Sequence, residues 1–189
     1  MKKLLLFIIS ILVAFNATAQ PQKNEIALEY GQFTLIEGAY LLGGVFGAVF
    51  SLGHFTFDNS IMTGSVAVEY DRNVNNWFSY GGLVSGELIT SDAYTVDSEG
   101  NKTYNGKYDM GAATLTPIAR FHWFRHPHFG MYSKIGAGLG IALSSEPSVF
   151  PSFQVSPVCM EFGGGKWKGV SEIGFGIQGI MTLGVKRCF

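Results

Sequence analysis

The feature that most constrains this chain is a period-two alternation of apolar and polar residues, repeated in segment after segment without any long apolar run beyond the N-terminus. Across 61–71, Met62, Gly64, Val66, Val68 and Tyr70 share one parity, and Thr63, Ser65, Ala67, Glu69 and Asp71 the other. In 76–89, Phe78, Tyr80, Val84 and Leu88 oppose Ser79, Ser85 and Glu87. In 107–123, Leu115, Ala119, Phe121 and Trp123 oppose Thr114, Thr116, Arg120 and His122; in 129–143, Phe129, Met131, Ile135, Leu139 and Ile141 oppose Tyr132, Lys134 and several glycines. The final stretch sets Met181, Leu183, Val185 and Phe189 against Thr182, Gly184, Lys186 and Cys188. Weaker segments fit at 25–34, 152–162 and 168–177, with a parity break near Pro157 that predicts a bulge or kink. Side chains alternate between faces only in extended chain, so this pattern predicts strands with one apolar and one polar face.

Eight such strands place both chain ends on one side of a sheet. The connections 71–76, 125–128 and 163–166 are short and rich in turn residues, and the one around Gln178 and Gly179 is tight. The alternate connections 35–60 and 91–106 are long, and 144–150 is intermediate. Aromatics gather beside the short turns: Tyr70, Trp77, Phe78, Trp123, Phe124, Phe129, Phe162 and Trp167. A belt of this kind suits a bilayer headgroup region.

Two closed architectures use such strands. A soluble barrel turns its apolar face inward, and a membrane barrel turns it outward. The polar face here is mostly Gly, Ser, Thr and Tyr, with one or two charges per strand. Charged residues make up 14% of the chain, against about 25% in an average protein. Such a face is a poor water-exposed surface and a sensible lumen, which favours an all-β, eight-stranded antiparallel up-and-down transmembrane barrel.

The N-terminus points the same way. Met1-Lys2-Lys3, the apolar run Leu4 to Phe15 and the small-x-small Ala17-Thr18-Ala19 have the layout of a secretory signal peptide. The expected division is a leader over 1–19 and one barrel domain over 20–189. A run this short falls below the ~20 residues of a spanning helix. Net charge is −1, which gives no reason to expect a nucleic-acid partner. Cys159 and Cys188 are too few for a disulfide framework.

A leader, alternating strands and the ending Gly184-Val185-Lys186-Arg187-Cys188-Phe189 resemble the small, porin-like outer-membrane β-barrel family of diderm bacteria, as do Trp123-Phe124-Arg125 and Phe129 to Lys134. The resemblance implies residence in the cell outer membrane, contact with its lipid, and recognition of Phe189 as an assembly signal by the barrel-assembly machinery. Arg187 departs from the pattern, standing at an outward position where the family carries an apolar residue.

The expected lumen set is Glu29, Glu69, Glu87, Arg120, His122, Lys134, Glu172 and Lys186. An eight-stranded barrel is barely wide enough for its own side chains, so these charges are expected to pair as a polar plug. The apolar segment 39–52, with Tyr40, Leu42, Phe46 and Phe50, is too apolar for an exposed loop. It is expected to cap the mouth, to lie on the membrane, to extend strands or to line a ligand groove. No metal or other cofactor is expected, since His122, His126 and His128 lack further ligands nearby. Ser51, His54, Asp58 and Ser60 contain the residue types of a hydrolytic set, but nothing local forces the geometry that catalysis requires. The expected function is therefore non-enzymatic, structural or surface-interacting; a narrow channel or a transporter of small or hydrophobic solutes is the alternative.

Overall fold

The computed structural model describes residues 23–50, 55–97, 99, 101–144 and 147–189, the side chains of 44–50 and 55–59 excepted. The expected leader 1–19, Ser51 and His54 lie outside the described residues, as do the side chains of Phe46, Phe50 and Asp58. In chain order the elements are β1 (Asn24–Gln32), α1 (Leu35–Phe50), β2 (Phe55–Met62), β3 (Ser65–Asn73), β4 (Phe78–Val96), β5 (Lys102–Arg125), β6 (Phe129–Leu143), β7 (Ser148–Phe162), β8 (Trp167–Gly176) and β9 (Met181–Cys188).

Eight of the strands close on themselves. Each of β3 to β8 pairs antiparallel with the next, and β1 joins β3 on one side and β9 on the other. The seam between first and last strand extends to the chain end, where Asn24 and Phe189 exchange two backbone hydrogen bonds of 2.9 Å. β2 is the ninth strand and lies outside the ring. It continues the line of β3 beyond a break at Thr63 and Gly64, where Gly64 adopts φ 71°, and pairs with the upper half of β4. Closure leaves the eight strands without free edges along their shared height.

The two faces differ sharply in chemistry. Outward positions carry Leu28, Val66, Val84, Leu115, Leu139 and Leu183, each about half exposed or more, whereas Arg120, Lys134, Lys186, Glu69 and Glu161 are 0% exposed inside. The expected parity break falls within β7, where the register against β8 shifts between Val155 and Val158. Before it Gln154 and Ser156 point inward; after it Cys159 and Glu161 do. Both cysteines are buried, free and on non-adjacent strands.

Two connections are more regular than the sequence reading expected. Residues 91–106 are mostly strand: β4 and β5 continue upward as a hairpin whose tip is held by Asp97 accepting from the Glu99 and Asn101 amides at 2.9 and 2.8 Å. Residues 35–60 hold α1 and β2 rather than a loop. The helix starts with a reciprocal cap, in which the Glu37 amide donates to Thr34 Oγ1 at 3.0 Å and the Thr34 amide to Glu37 Oε2 at 2.8 Å. No described helix is long and apolar enough to cross a membrane.

Candidate functional site: the filled interior and the mouth above it

Inward positions of the ring build a charged layer near the end where Asn24 pairs with Phe189. Arg120 lies on β5 and faces Asp71 at 3.1 Å, Glu25 at 3.5 Å and Glu29 at 3.8 Å, and it also pairs with Glu69. Lys134, its neighbour on β6, reaches Glu69 at 3.0 Å and Glu29 at 3.6 Å, and pairs with Glu172. Lys186 on β9 bonds Glu25 at 2.8 Å and Glu161. Tyr132 lies among these groups: Arg120 sits 4.7 Å over its ring, and its hydroxyl donates to Glu172 at 2.6 Å. Ions this deeply buried are tolerated because each faces opposite charge and further hydrogen bonds. Cross-strand register explains the assembly, since Arg120 is directly opposite Lys134, which is kept from repulsion by the carboxylates of β1 and β3 between them.

All eight lumen residues anticipated from parity are buried. They do not all join one network. Glu87 stands near the mouth and accepts from Thr34 Oγ1 at 3.2 Å. His122 lies toward the short-turn end, where its Nε2 accepts from Arg125 Nη2 at 2.9 Å, with Ser79 Oγ at 3.0 Å. Glu25, Asp71, Glu161, Tyr132 and the outer partner Lys168 (2.8 Å from Glu161) were missing from the anticipated set. Glu25 and Asp71 share parity with Glu29 and Glu69, so the signal was present. Glu161 was hidden by the bulge, which reverses the parity of β7.

Above the charges the interior is closed by a second layer. The β8–β9 turn folds inward, so that Ile177 packs with Ala67, Leu83 and Ile118 from three strands of the ring. Beside it Gln178 donates through Nε2 to Glu29, and its backbone amide donates to Gln154 Oε1 at 2.9 Å. This reversal depends on Gly176 and Gly179, at φ 144° and 96°.

The mouth lies above that apolar seal. Tyr40 stacks on Tyr108 with ring centres 6.2 Å apart and hydrogen-bonds Ser91, which fixes the first half of α1 to β4 and β5. Two apolar cavities flank the helix. One, of about 580 Å³, lies between Leu35, Ile36 and Tyr40 and the inward Met110 and Phe150. The other, of about 550 Å³, lies between Phe33, Leu41 and Leu42 and the outer Met62, Phe175 and Ile180. Leu42 is 60% exposed and belongs to this outer cavity, whereas Tyr40 belongs to the inner one.

At the opposite end the aromatics gather. Trp77, Phe78 and Phe121 form one cluster, and Phe124, Phe129 and Phe162 another. Arg187 points outward over Trp167, 5.9 Å from its centre. Among the described residues no group of His, Cys, Asp and Glu is arranged to hold a metal ion. Compared with protein-family models, curated proteins and solved structures, the chain finds no match in any of the three.

Proposed function

We propose that this protein is an integral outer-membrane β-barrel, exported through a cleaved leader, whose role is non-enzymatic and structural or surface-interacting. The observation that carries the reading is the sidedness of the ring: apolar residues outside, ion pairs inside. Water-soluble proteins rarely expose continuous apolar surface beyond a few hundred Å², whereas hydrocarbon requires it of a spanning barrel. The aromatic clusters around the short turns match an interfacial girdle, and Arg187 beside Trp167 reads as a snorkelling residue at that level. The pairing of Phe189 with Asn24 is consistent with Phe189 as the residue recognised during assembly.

A closed interior supports a structural role over a conducting one. Any ion crossing the ring would have to displace the pairs around Arg120, Lys134 and Lys186 as well as the layer beneath Ile177. Membrane fractionation with heat-modifiable gel migration tests the location, and planar-bilayer recording tests closure. The expected results are recovery with outer membranes, a mobility shift on boiling and no stepwise current. Recovery in the soluble periplasm without a shift refutes the membrane reading; clear unitary conductance refutes the closed one.

A further inference from the structure

The wall of the ring is not equally high all round. Along β7, pairing with β8 stops at Phe153, whose carbonyl accepts from the Ile177 amide at 3.0 Å. Above that point Ser148 to Ser152 pair only with β6 among the described residues. On the other side β1 ends at Gln32 and pairs no higher than Gly31 with Ser65, while β2 rises further along β4. Between these two uprights the tops of β8, β9 and β1 form a notch. The helix α1 leaves β1 at its base and packs against β2.

The notch has an edge protected against another strand. In an antiparallel strand the N–H and C=O of one residue point to the same side, and successive residues point to opposite sides. Phe153 faces β8, so Pro151, two residues before it, faces the notch and offers no donor there. Pro151 therefore interrupts the run of donors along this edge, and the side chains lining the cavities beside the notch are mostly apolar. Outside α1 the outer cavity has Phe175 and Ile180 as its floor, 52% and 47% exposed, continuous with the outward apolar face of the ring. Inside α1 the inner cavity is walled by Tyr108, Met110, Ala142 and Phe150 of the ring.

We propose that the notch is a lateral port through which the alkyl chain of a single-chain amphiphile without an anionic head group passes from the membrane into the inner cavity, which is a binding chamber. The inference rests on the membrane reading above. The chamber's size lies within the ~300–1,000 Å³ of ligand pockets. Its apolar lining suits a hydrocarbon chain, and continuity of the outer cavity with the apolar outward face makes the bilayer the source. The charge of the head group follows from Glu37 and Glu87. Both are buried beside the helix start, where they share Thr34, and among the described residues neither pairs with a cation. A carboxylate-bearing amphiphile would meet like charge there, whereas a fatty alcohol or a monoacylglycerol would not.

The full chain in phospholipid nanodiscs, photolabelled with diazirine-bearing stearyl alcohol and mapped by mass spectrometry, tests this. Labels are expected on Tyr108, Met110 or Phe150 as well as on outward residues such as Leu183 and Val185. Ala142→Trp and Met110→Trp, each filling the chamber, should abolish the inner labels (read at Tyr108 and Phe150) while leaving the outer ones. Gly38→Trp, at a position open enough for a larger side chain and lining only the outer cavity, should reduce inner labelling by closing the port. Diazirine-bearing stearic acid should label the chamber less than the alcohol does. Labels confined to outward residues, or inner labelling unaffected by the filling variants, overturn the chamber. Unchanged inner labelling in Gly38→Trp overturns the lateral route, and equal labelling by acid and alcohol overturns the head-group assignment. A chain that fails to insert into nanodiscs is a failure of the membrane reading, recognised before any label is added.

Discussion

Replacing Lys134 by Met removes the amine that links three strands through buried carboxylates. Its Nζ pairs with Glu172 and lies 3.0 Å from Glu69 and 3.6 Å from Glu29, all within 1% of full burial. Glu29 and Glu69 keep Arg120 as a partner, but Glu172 is left with the Tyr132 hydroxyl at 2.6 Å and Ser156 at 3.4 Å. Breaking a buried pair by removing one member costs about 3–5 kcal/mol, because the remaining charge stays buried. Glu172→Gln alone keeps an acceptor for Tyr132 and leaves Lys134 two carboxylates, so its cost is that of a charge-assisted hydrogen bond, about 1.5–3 kcal/mol. The double variant should be more stable than Lys134→Met alone, with a coupling of about 1–3 kcal/mol between the sites. Urea unfolding in lipid vesicles measures all three, with Trp77, Trp123 and Trp167 as native reporters at one end of the ring. A Lys134→Met variant within about 1 kcal/mol of the parent, or strict additivity in the double, refutes the account of the interior as a mutually dependent ion network.

Other substitutions separate local from global roles. Gly179→Ala places a side chain at φ 96° against the Gln32 carbonyl; it should lower stability by about 1–3 kcal/mol in the same unfolding assay. Thr34→Ala removes the helix cap and the bond to Glu87; proteolysis and hydrogen exchange within 35–43 should increase by the equivalent of about 1 kcal/mol, with the global midpoint little changed. Arg187→Leu should change stability by no more than about 1 kcal/mol, as for an interfacial Arg, whereas a gain of about 2–4 kcal/mol would place this position at the bilayer midplane. Cys159 and Cys188 should resist maleimide in the folded state and react together only after denaturation, as expected of buried free thiols.

What could be read from the sequence follows the physics that set each part. The strands of the ring were legible because one side carries apolar residues and the other lines a polar interior, and each residue from 65 to 71 obeys that division. The lumen set was legible for the same reason wherever the register ran unbroken. Glu161 was lost because one bulge near Pro157 reverses parity, and a strand read residue by residue from either end then assigns the wrong face to the other half. The helix left a clearer trace than its composition suggested. Thr34-Leu35-Ile36-Glu37 is a capping box, but four glycines between Gly38 and Gly47 and a nearly all-apolar face hid the helical period. Ile177 and Gln178 were not legible at all. Nothing in a tight turn reports whether its tip leans over the ring or away from it, because that is decided by Glu29, Gln154 and Leu83, distant in sequence. The interior charges are thus a property of strand parity, whereas closure and the chamber above it depend on where one turn and one helix come to rest. The function proposed for this protein's mouth therefore rests on tertiary placement more than on any motif.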